Sequence, residues 1–229
     1  MSVKDWWPGP KIPKRSVSRQ SDGTVVEKWT YKGRLHREDG PALIETNPDG
    51  YRDEEWFIDG LLHREGGPAW IIISPDGSIH REEWRIGGKL HREDGPAGIV
   101  NYSDGSHYEE WYIGGQLHRE EGPARIETRP DGYRLEIWCI GDKKHREDGP
   151  ARILTLPDGS RLEEWFFGGE FHREDGPARI EIRPDGFSRE EWWIDDLRHR
   201  ENGPAYIMTL PDGSRHEEWW VHGRQVEAP

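Results

Sequence analysis

One cysteine, two methionines and no long apolar run bound this chain before any motif is read. The lone Cys139 excludes an internal disulfide framework and suits a reducing compartment. No stretch is apolar for long enough to cross a bilayer, and the opening "MSVKDWWPGPKIPKRSVSRQ" lacks the apolar middle of a secretory signal. A cytoplasmic protein, host or viral, without a membrane span is therefore expected. Hydrophobic residues make up only 32% of the chain, against 34% charged. Such a balance usually marks disorder, but 13 Trp, 7 Tyr and 5 Phe bring the large burial areas that disordered segments lack. The chain should fold around a thin core. Cations are also short, 32 Lys and Arg against 45 Asp and Glu, and the net charge of −13 opposes the counterion release that drives binding to phosphate backbones. Nucleic acid is not an expected partner.

What is abundant is repetition. Near-copies of "LHREDGPA" place His36, His63, His91, His118, His145, His172 and His199 at spacings of 27, 28, 27, 27, 27 and 27 residues. Trp29, Trp56, Trp84, Trp111, Trp138, Trp165 and Trp192 keep the same beat, each seven residues before a motif histidine; Trp219 starts an eighth unit that loses the motif. The extra residue of the third unit lies in "PDGSIHREEW", which predicts a bulge or a lengthened turn.

Two turn signals punctuate each unit. Asp59–Gly60 and its counterparts Gly87–Gly88, Gly114–Gly115, Gly141–Asp142, Gly168–Gly169 and Asp195–Asp196 suit a two-residue hairpin turn, in which both positions need positive φ. "PDG" or "SDG" recurs between units, proline fixing φ and glycine taking the left-handed position. No window has helical periodicity. The prediction is an all-β repeat array of antiparallel β-hairpins, about eight 27-residue units in an elongated single-layer or rolled sheet. Residues 21–229 form this domain; residues 1–20, basic and rich in proline and aromatics, form an arm, a docking peptide or, as favoured, a cap over the first edge strand.

Extending the hairpin register from the Asp59–Gly60 turn sets Phe57 opposite Leu62, Trp56 opposite His63, Glu55 opposite Arg64 and Glu54 opposite Glu65. Trp, Ala and Ile then share one face, the candidate core, with Ile44, Ile71, Ile99, Ile126, Ile153, Ile180 and Ile207 in equivalent places. His63 would stack on Trp56, and Arg64 would pair with Glu55. Glu54 against Glu65 is unfavourable unless a bulge separates them or a positive group lies between.

His63, Glu54 and Glu65, with their repeats, are a candidate metal set. The structural alternative, a ladder of hydrogen bonds and ion pairs, is favoured because a guanidinium stands beside every such set. No cofactor is expected. Seven equivalent sites with no unique nucleophile do not resemble an active site, so no catalytic residue and no enzyme activity are expected. The residue after each Trp varies, and Phe57, Tyr112, Phe166, Trp193 and Trp220 form an aromatic stripe opposite the core face. It would contact a partner or cover the second face of the sheet.

The unit "EEWxxGGxLHREDGPAxIxxxPDG" resembles a MORN repeat over about residues 21–226. It is similar as well to the hairpin arrays of YwqK-type antitoxins and to the "HREDGPA"-rich repeat proteins of large DNA viruses and phages. Glu54, Trp56, Gly60, His63 and the Pro75–Asp76–Gly77 turn carry the likeness. The resemblance implies a protein-binding scaffold with a protein partner or itself as ligand. Alternatives are end-to-end self-assembly into a homo-oligomer or filament, and an acidic decoy, inhibitor or antitoxin-like protein of viral or bacterial origin.

Overall fold

A computed structural model describes residues 11–228, which divide along the chain into two compact units, the first ending at His91 and the second starting at Arg92. Strands and turns make up both, with no helix among the described residues. The first unit has six long strands, Lys14–Arg19, Val25–Tyr31, Leu43–Thr46, Arg52–Glu55, Trp70–Ile73 and Ile79–Glu83, each antiparallel to the next. The second continues the pattern with ten, from Gly98–Asn101 to Arg215–Val221. Among the described residues no pairing joins the first strand of either unit to its last, so neither sheet closes. Between long hairpins stand short ones, such as Phe57–Ile58 with Leu61–Leu62 and Cys139–Ile140 with Lys143–Lys144.

Turn chemistry sets this order. Asp59 and Gly60 have φ of 52° and 87°, the left-handed pair that a tight hairpin requires. At the other end of the strands the aspartate of each PDG turn ties the backbone: Asp131 accepts the Tyr133 N–H at 2.9 Å, and Asp158 accepts the Ser160 N–H at 2.8 Å. The extra residue of the third unit is a β-bulge: Ile72 faces Arg81 and Ile73 faces Ile79, leaving His80 as the inserted residue. Residues 1–10 of the expected arm or cap lie outside the described residues. Its remainder includes Lys14–Arg19, an exposed strand paired with Val25–Tyr31.

The register alternates Ile with Glu along one face: Ile99, Glu109, Ile126, Glu136, Ile153, Glu163, Ile180, Glu190 and Ile207 lie side by side across the second unit. On the same face Trp alternates with Ala, since Trp138 N–H donates to the Ala151 carbonyl at 2.7 Å and Trp165 N–H to Ala178 at 2.7 Å. Ala42, Ala69, Ala97, Ala124, Ala151, Ala178 and Ala205 are fully buried. Small methyl groups between large indoles give an interdigitated layer without a second sheet.

The predicted pairing holds through Trp56 and His63, whose N–H donates to the Trp56 carbonyl at 2.9 Å, and fails beyond them. Glu54 does not face Glu65, and Glu55 does not face Arg64. Glu54 lies between Ile44 and Ile71, and Glu55 between Leu43 and Trp70. The chain leaves the sheet after His63 and returns at Ala69, whose carbonyl accepts the Trp56 N–H at 2.7 Å. Glu65 is in that excursion, so the opposed carboxylates never meet.

Candidate functional site

The excursion is the "HREDGP" segment, and its residues have separate tasks. Arg146 lies over the Trp138 ring, with its guanidinium carbon 4.2 Å from the ring centroid. Its Nε donates to Asp148 at 2.8 Å and its Nη1 to the Pro150 carbonyl at 3.4 Å. Gly149 closes the other side, where a Cβ would stand 2.9 Å from the guanidinium carbon. Indole, guanidinium and glycine thus form a three-layer stack. Arg37, Arg64, Arg119, Arg173 and Arg200 repeat it over Trp29, Trp56, Trp111, Trp165 and Trp192 at 3.9–4.2 Å. A stacked cation of this kind contributes about 0.5–2 kcal/mol, depending on its desolvation. Asp148 is held below the usual carboxylate range by the hydrogen bond from Arg146. The Asp place is taken by Gly66, Glu121 and Asn202 in three units, yet Arg64, Arg119 and Arg200 keep the stack and a 3.1 Å bond to the following proline carbonyl. Tryptophan, glycine and that carbonyl therefore place the arginine.

In six units it is the motif arginine, where histidine was expected, that stacks on the tryptophan. The histidine Nδ1 accepts a backbone N–H from the short-hairpin turn of the following repeat: His36 from Asp59 at 3.0 Å, His63 from Gly87 at 3.1 Å, His118 from Gly141 at 3.3 Å and His145 from Gly168 at 3.1 Å. His199 accepts from His222 at 3.2 Å, while His172 Nδ1 meets the Asp195 carboxylate at 2.7 Å. Each bond pins one hairpin to the next, a cross-repeat contact that spacing within one unit does not reveal. His63, Glu54 and Glu65 are not brought together, and no group of three His, Cys, Asp or Glu among the described residues could hold a metal ion.

Along the second unit these loops wall a row of open clefts, four of them with volumes of about 560–570 Å³. A Trp, a His and the residue two after the Trp line each: Trp138, His145 and Ile140 in one, Trp165, His172 and Phe167 in the next. Each wall between adjacent clefts is a single loop serving both; Arg146, Glu147 and Asp148 line two of them. The acidic groups on the walls are exposed, Glu147 by 83% and Glu174 by 88%, whereas Arg146 and Arg173 are stacked and half-buried.

The opposite face carries the aromatic stripe. Phe166 is buried, and Phe57, Tyr112, Trp193 and Trp220 are half-buried. Arg198 lies 5.2 Å from the Trp193 centroid, 5.0 Å from Tyr206 and 5.5 Å from Trp220, while Phe171 bridges Phe166 and Trp193 at 4.2 and 5.7 Å. Beneath the stripe runs a row of buried carboxylates that the predicted register missed. Glu164 meets Arg152 at 2.9 Å and Arg179 at 3.4 Å, Glu191 meets Arg198 at 2.9 Å, and Glu110 pairs with Arg125. The 27-residue spacing of Arg125, Arg152 and Arg179 is the sequence signal for these partners.

Glu55 occupies the same place but has Leu43 and Trp70 as neighbours in place of arginines. Burial, reinforced by Asp53, Glu45 and Glu83, raises its pKa to about 7. The folded state therefore keeps a proton that the unfolded chain releases near 4.5, and stability falls as pH rises from about 4.5 to 7. Glu55→Gln should raise the unfolding free energy at pH 7.5 by about 1–2 kcal/mol, the shift being discounted for the solvent that reaches the group, and leave it unchanged at pH 4. Urea unfolding of both proteins at the two pH values checks this; an equal effect at both would exclude the buried proton.

No family profile and no curated protein matches the chain. Among solved structures, the TCP domain of SAS-4 (dCPAP) of Drosophila melanogaster, in complex with a proline-rich motif of Ana2 (dSTIL), is 14% identical, with a TM-score of 0.30, over 89% of this chain and 88% of that one. A mutant TCP10 domain of Danio rerio CPAP is 17% identical, with a TM-score of 0.26, over 93% and 95%. The wild-type TCP10 domain with a peptide of Danio rerio STIL is 16% identical, with a TM-score of 0.18, over 94% and 100%.

Proposed function

We propose that the chain is a non-enzymatic, MORN-like hairpin scaffold that binds a protein partner through the loops of the repeated motif. The observation that carries this reading is the row of clefts built from the same residues and sharing their walls. Repeat arrays bind extended partners along such a surface. Catalysis calls for one distinguished constellation of groups, whereas these clefts are near-copies. Their rims are acidic and their arginines are occupied by indole, carboxylate and carbonyl, so a cationic protein surface is the complement.

The full chain carrying Glu120→Lys, Glu147→Lys and Glu174→Lys tests it. These residues are exposed, so the variant should keep the near-UV spectrum of the parent. Cross-linked capture from cell extract should recover a protein with the parent that is lost with the variant. Recovery of the same proteins in equal amount by both would contradict the reading.

A further inference from the structure

The spacing of the clefts restricts the backbone that can run along them. Each repeat adds two long strands, so successive clefts stand about 9.6 Å apart at the usual strand separation. A β-strand rises about 3.3 Å per residue and returns a side chain to the same face every second residue, giving intervals of about 6.6, 13 and 20 Å, so it meets at most every second cleft, once in six residues. A polyproline II segment rises about 3.1 Å per residue with three residues per turn, so residues three apart lie on one side about 9.3 Å apart. Only the second geometry brings a side chain to every cleft. Clefts lined by an indole such as Trp138 or Trp165 suit this conformation, which is preformed and loses little entropy on docking. The acidic walls then select what every third residue carries.

We propose that the row of clefts in the second unit docks a polyproline II segment of a partner protein with a Lys or Arg at every third residue, one cation per cleft. The inference rests on the scaffold reading and adds the conformation and period of the ligand. Cationic groups enter between walls such as Glu120–Glu121 and Glu147–Asp148, and the two uncharged residues of each turn face away or lie along the cleft lining.

Two labelled peptides of equal composition test it on the full chain by fluorescence anisotropy at low salt: (Lys-Pro-Pro)4, and a permuted peptide with its four lysines adjacent. The periodic peptide should bind at least about ten-fold more tightly, because only it can occupy several clefts at once. The Glu120→Lys, Glu147→Lys, Glu174→Lys variant should abolish the difference. Equal affinity of the two peptides would overturn the proposal, as would a preference that survives charge reversal. If neither peptide binds while a captured protein still depends on the acidic walls, the period-three ligand is wrong and the scaffold reading stands. If no captured protein depends on them either, both fail.

Discussion

Trp138→Ala lowers the unfolding free energy by about 3 kcal/mol, toward the lower end for large-to-small aromatic changes because Trp138 is only half-buried. The loss has three parts: the indole's own burial, the cation stacked on it at 4.2 Å, and the cover it gives the alanine layer. Released from the ring, the Arg146 guanidinium keeps the exposed Asp148 and the half-buried Pro150 carbonyl, contacts too weak to fix the side chain alone. Since each repeat of such an array contacts chiefly its neighbours, the weakened unit should also uncouple the strands on its two sides. Urea unfolding followed by tryptophan fluorescence should show a lower midpoint and a shallower transition. An unchanged midpoint would mean that the stack contributes nothing to the fold.

Ala151→Leu should cost about as much by the opposite route. The register sets Ala151 between Trp138 and Trp165, and the residue is completely buried. Overpacking costs about 1–3 kcal/mol, and the upper end applies here because Arg146 and Arg173 pin both indoles from above. Ala151→Gly removes the methyl without crowding and should cost only about 0.5–1 kcal/mol. A thermal melt of the three proteins separates the cases: the leucine variant melts well below the glycine variant. The reverse order would show that the alanine row is loosely packed.

How far these features are legible in the sequence depends on the distance over which each is determined. The 27-residue period and the Asp59–Gly60 turn are local, and residue type with spacing sufficed for them; spacing also located the extra residue of the third unit in "PDGSIHREEW" without choosing between a bulge at His80 and a longer turn. The Trp, Ala and Ile face followed from strand alternation. The opposition of Glu54 and Glu65 failed because hairpin register was carried past His63, where the backbone departs; Gly-Pro before Ala69 marks the return but not the length of the detour. Arginine, not histidine, covers the tryptophan because the detour brings it back over the ring. The Nδ1 bond of His145 to Gly168 joins successive repeats, and the arginines around Glu164 come from neighbouring strands. Single-unit register contains neither. The clefts are emergent in the same sense, since each needs loops from two repeats.

Amide hydrogen exchange of the full chain with and without (Lys-Pro-Pro)4 tests most directly whether the repeated motif is a ligand-facing surface. Bound peptide should slow exchange in segments 119–122, 146–149 and 173–176 together, at 27-residue intervals. Protection confined to the PDG turns at 130–132 and 157–159, or to the Phe166 and Trp193 face with those loops unchanged, would contradict the account.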